Sequence, residues 1–95
     1  MQYAVSVVEH VKVNGALDYV ERRDLRDVVV ASSVRNGLKA ASASVQQKLG
    51  EGFMLVGSNM TGQTQIRVIV QSKFLLDTPN TPPTAHVVNR PPARR

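Results

Sequence analysis

The chain contains no cysteine and no tryptophan, and its only aromatic residues are Tyr3, Tyr19, Phe53 and Phe74. Without cysteine there is no disulfide framework, no thiolate zinc site and no cysteine nucleophile. Two histidines, His10 and His86, are too few for a multi-histidine metal centre within one chain. No apolar run approaches the ~18 residues that a membrane-spanning helix needs. The N-terminal stretch lacks a basic region, and Glu9 and His10 interrupt its apolar pattern. No signal peptide or transmembrane segment is therefore expected, which leaves a cytoplasmic or virion location and no membrane partner. Phosphate loops, dinucleotide fingerprints, calcium loops and zinc-helix motifs are also missing.

Ninety-five residues suffice for one small core and not for two. With few aromatics, that core has to be built from Val, Leu, Ile and Ala. Acids are scarce, seven against twelve Lys and Arg, for a net charge of +5. The excess is uneven. Arg35, Lys39 and Lys48 face only Glu51 over residues 31–52, and Arg90, Arg94 and Arg95 face only Asp77 over the last nineteen residues. Such a balance suits either an anionic partner or simple solubility.

Residues 2–13 alternate as a half-buried strand, with Tyr3, Val5, Val7, Val11 and Val13 on one side and Gln2, Ser6, His10 and Lys12 on the other. Asn14-Gly15 follows, the turn pair whose two central residues accept positive φ, so a returning strand is expected through Leu17 to Val20. Asp24 to Ala31 is ambiguous. Leu25, Val28 and Val29 have helical spacing, but three successive valines favour extended backbone. The stretch 27–31 is read as a strand; one long helix from Asp24 to Leu49 is the alternative.

A helix is expected from about Ser33 to Leu49. Ser32 or Ser33 can cap it, its apolar stripe is Val34, Leu38, Ala41, Val45 and Leu49, and Gly50 stops it. Gly37 within it costs about 1 kcal/mol relative to Ala. Phe53–Val56 and Gln65–Phe74 are read as a second strand pair joined by Ser58–Gly62. The predicted fold is α+β: an antiparallel sheet of four or five strands, one principal helix on one face, and an extended arm. Residues 1–76 form the domain. Residues 77–95 carry all five prolines, which remove amide donors, and form a basic arm with little core of its own.

Candidate chemistry is thin. Ser6, His10 and Asp18 can be written as a hydrolytic triad, but four strand residues place Ser6 roughly 13 Å from His10, beyond hydrogen-bond reach. Glu9, Asp18, Glu21 and Asp24 are interleaved with arginines, as surface ion pairs are. No catalytic residue, cofactor, metal or small-molecule substrate is predicted. Two functions remain. The first is a non-enzymatic structural subunit, a homo-oligomer or part of a larger virion or shell assembly. Its contacts would come from the small-residue helix face of Ala40 and Ala43 and from His86, Val87 and Val88, an arm stretch able to pair with a neighbour's strand edge. The alternative is sequence-independent nucleic-acid binding through Arg35, Lys39, Arg67, Lys73, Arg90, Arg94 and Arg95. Base-stacking aromatics, which single-strand binders use, are missing from that set.

Overall fold

Strand β1, Gln2–Val13, is the spine of the domain, paired along both of its edges. The computed structural model describes residues 1–75 and the backbone of 77–78. On one edge, β2 (Ala16–Glu21) returns antiparallel through the Asn14-Gly15 turn, where both residues have positive φ, 53° and 80°. The same edge then receives β3 (Asp27–Val30), antiparallel to residues 2–5. Five residues, 22–26, oppose only Ser6 and Val7 between these two pairings. The surplus is taken up by a 3₁₀ turn, Arg23–Leu25, which drops Leu25 into the core. This resolves the ambiguous segment: Leu25 belongs to the turn, and Val28 and Val29 to a strand.

Helix α1 runs Val34–Lys48, with Ser33 as N-cap accepting from the Asn36 amide at 3.2 Å. It is followed by β4 (Phe53–Gly62) and β5 (Gln65–Ser72), an antiparallel pair, with β5 lying beside β1. Across the sheet the order is β2-β1-β5-β4, with β3 sharing the β2 edge of β1. A two-residue strand, β6 (Asp77–Thr78), lies parallel to residues 12–13 of β1.

The sheet is mixed, whereas the sequence pattern suggested antiparallel pairing throughout: β1 and β5 are parallel. The reason lies in the helix. Strands β3 and β4 stand at opposite sides of the sheet and run the same way, each antiparallel to its inner neighbour. Helix α1 links them by crossing over the two strands between, which places β5 parallel to β1.

The core lies under that crossing. Tyr3, Val5 and Val7 of β1 meet Ile66, Val68 and Val70 of β5, and Ala41 and Val45 of α1 close over them. The buried line of the helix is Gly37, Ala41 and Val45, displaced from the expected stripe toward Gly37. Leu38 and Leu49 are half-buried along its flank, and Val34, at the first helical position, is 46% exposed. Gly37 is needed for its lack of a side chain: a Cβ there would stand 3.0 Å and 3.1 Å from Cε1 and Cδ1 of Tyr3. Strand β4 is longer than expected, because residues 58–62, read as a loop, continue the pairing with β5. Two bulges, at Leu55/Gly57 and Met60/Gly62, absorb the mismatch and leave Gln63-Thr64 as the turn. Strand β5 ends at Ser72, leaving Lys73 and Phe74 in a turn.

Three substitutions test this packing by urea denaturation. Ile66→Ala, at a fully buried site, should cost about 2–5 kcal/mol. Leu38→Ala should cost less than Ile66→Ala, because its site is only partly covered. Gly37→Ala should destabilise although alanine favours helix by about 1 kcal/mol, since Tyr3, only 2% exposed, has no room to retreat. A more stable Gly37→Ala protein would show that the helix does not press on Tyr3.

Candidate assembly surface

A single helix covers a single face. Strand alternation and register place Ala4, Ser6, Val8 and His10 of β1 on the face away from α1. Their neighbours there are Arg67, Ile69 and Gln71 of β5, Leu17 and Tyr19 of β2, Val28 and Val30 of β3, and Met54 and Asn59 of β4. Much of this face is apolar and uncovered: Val30 is 75% exposed, Val28 53%, and Met54 44%. Val56, the extra residue of the first bulge, is 47% exposed. Val8 and Ile69 are half-buried and in register with each other, and Gly57, beside Val56, is in register with Ile69. An apolar row therefore runs from the middle of the sheet out to the edge of β4.

That edge is the second feature. Among the described residues, β5 is the only strand that pairs with β4. No charged residue and no proline occurs from Gly52 to Ile66. Edge strands of monomeric proteins usually carry lysine, proline or an inward charge that blocks further pairing. The opposite side of the sheet differs: it is broken by the 3₁₀ turn and carries Asp18, Glu21 and Asp27.

Of the residues expected to bind nucleic acid, the described ones stand on different sides of the sheet. Arg35 and Lys39 are exposed on the outward side of α1, whereas Arg67 projects from the opposite face of the sheet. Lys73 sits in the turn after β5, its amide donating to the Gly52 carbonyl at 2.8 Å. Ala40 is half-buried beside Ser44, and Ala43 is exposed. His86, Val87, Val88, Arg90, Arg94 and Arg95 lie outside the described residues. The triad candidates are otherwise engaged. The Ser6 hydroxyl donates to the Ile66 carbonyl at 3.4 Å, the His10 ring meets Tyr19 edge to face at 4.8 Å, and Asp18 accepts from the Tyr19 amide. Among the described residues no three His, Asp or Glu side chains cluster as metal ligands would, and no helix is long and apolar enough to cross a membrane.

Two further charge clusters, around Arg22 and Asp27, tie elements of the fold together. Arg22 donates to Glu9 at 3.0 Å and to both oxygens of Asp24, and its guanidinium lies 5.4 Å from the Phe53 ring centroid. It thereby joins β1, the 3₁₀ turn and the start of β4, a role not apparent in the sequence pattern. The hydrogen bonds from Arg22 hold the Asp24 carboxyl below its ordinary pKa. Asp27 is lowered too, first by the Ser44 hydroxyl, then by the Val28 amide and by Lys48 at 3.3 Å. These contacts tie β3 to one flank of α1, while Ser42 and Ser58 meet at 3.5 Å on the β4 flank.

No protein-family model, no curated protein and no solved structure matches this chain.

The Asp27 contacts give a pH signature. A carboxyl lowered by folding contributes stability fully above its unfolded pKa, near 3.9, and loses it as pH falls through the lower folded value. Wild-type Tm should therefore drop between about pH 6 and about pH 3, and Asp27→Asn should drop less over the same interval. Equal drops would mean that Asp27 gains nothing from Ser44, Val28 and Lys48.

Proposed function

We propose that the protein is a non-enzymatic structural subunit that works by self-association. One observation carries the reading: among the described residues, the sheet is closed by a helix on one face and left open and largely apolar on the other. A monomer of this size seldom leaves a contiguous apolar patch uncovered, and such patches commonly mark contact surfaces. The neutral edge of β4 adds backbone donors and acceptors to the same surface. The proline-rich arm fits the reading as a segment pre-extended for a neighbouring chain, which loses less entropy on docking than a flexible one. Nucleic-acid binding has less support, because among the described residues Arg35 and Lys39 stand on the helix side of the sheet and Arg67 on the other.

Light-scattering mass of the full chain, and of a chain ending at Leu76, tests the proposal. The full chain should be oligomeric at micromolar concentration, and the shortened chain smaller or more easily diluted to monomer. A full chain that stays monomeric at every concentration would overturn self-association. Equal assembly of the two chains would keep the subunit reading and remove the arm from it.

A further inference from the structure

We infer that a second copy of the chain pairs along the outer edge of β4, antiparallel across a two-fold axis, so that one sheet runs through both subunits. The inference rests on the self-associating reading and names its surface. Charge selects the edge. Two chains of +5 each repel unless they meet at a neutral seam, and Gly52–Ile66 is such a stretch. The flank of α1 above β4 presents Leu38, Ser42 and Leu49, with Arg35 exposed one turn before Leu38 at its N-terminal end.

Shape selects the register. Between the two bulges, Gly57, Ser58, Asn59 and Met60 pair regularly with Ile69, Val68, Arg67 and Ile66. These four residues are the straightest part of the edge, and the two-fold axis falls among them. An isologous pairing there brings the same neutral strand from both copies together. The row Val8–Ile69–Val56 ends at this edge, so the seam borders its outer end in each subunit. Met54 and Val56, exposed in the single chain, lie along the junction.

Asn59 is exposed on the open face near this axis, so a charge there tests the pairing with little demand on the core. Asn59→Lys should weaken the dimer at least about tenfold by sedimentation equilibrium, because like charges, each beside its own Arg67, meet across the axis; Asn59→Glu, which faces Arg67 of its own chain, should weaken it less. Mixing the two variants should restore a heterodimer. Circular dichroism confirms that both are folded. Amide hydrogen exchange on wild-type protein gives a readout free of substitution: residues 53–62 should gain protection as concentration rises through the association range. An oligomer that both variants leave unchanged, with exchange in β4 independent of concentration, would overturn the edge pairing and leave self-association through another surface. A wild-type monomer at every concentration would overturn both.

Discussion

The ring of Tyr3 occupies the space that a side chain at position 37 would fill, and the seating of the helix depends on this contact. Gly37 lets α1 descend onto β1, so that Ala41 and Val45 reach Val5, Val7 and the inward residues of β5. The glycine costs helix propensity, but the buried aromatic ring more than offsets that cost through area removed from water. Few other large side chains are available to fill the layer. Besides Tyr3, a core of valines with one isoleucine, one leucine and one alanine is thin, and it requires close approach of the backbones.

A single fifteen-residue helix has to satisfy a sheet four strands wide. It crosses from β3 to β4 over the two central strands, held by Asp27–Ser44 and Asp27–Lys48 on one flank and Ser42–Ser58 on the other. Nothing in the described chain plays the same part for the opposite face. The exposed valines of β3 and the exposed Met54 and Val56 of β4 follow from this asymmetry of supply. They would be ordinary as scattered residues. The continuity of Met54 and Val56 with half-buried Val8 and Ile69 makes that side a surface, while Val28 and Val30 lie at the other end of β1, beyond Ser6 and Arg67.

Local signals were legible where the chemistry is local. Asn14-Gly15 announced its turn, Ser33 its cap, and the alternation of Tyr3, Val5, Val7 and of Ile66, Val68, Val70 the buried faces of β1 and β5. Three features were not legible, each for a physical reason. Strand direction depends on the helix crossing the whole sheet, a long-range property that periodicity does not encode. Residues 58–62 resemble a loop in composition because bulges tolerate glycine and polar residues that a regular strand disfavours. The helix phase shifted because a glycine, which no apolar count includes, occupies the most crowded position. The candidate surface was not singled out from the sequence, where assembly contacts were expected at Ala40, Ala43 and residues 86–88, although the uninterrupted neutrality of Gly52–Ile66 stands in it. Its importance emerges only once β4 is known to stand at an edge.

The two sides of the sheet also decide whether pairing stops or propagates. If both edges were bare and alike, β4 of one chain could join the β2/β3 side of the next, and heterologous addition would grow without closure. The β2/β3 side discourages this. Its line is broken by the 3₁₀ turn at residues 23–25, and Asp18, Glu21 and Asp27 stand along it. A neutral, apolar-flanked β4 brings no cation to those carboxylates, and burying them there would cost them solvation. The edge best able to pair therefore finds its best match in its own copy. The two-fold arrangement consumes it, because both β4 edges become interior strands and only the charged, interrupted sides remain outside. Growth beyond the dimer then has to use a different surface, and the open apolar face, enlarged by joining two sheets, is the one still uncovered.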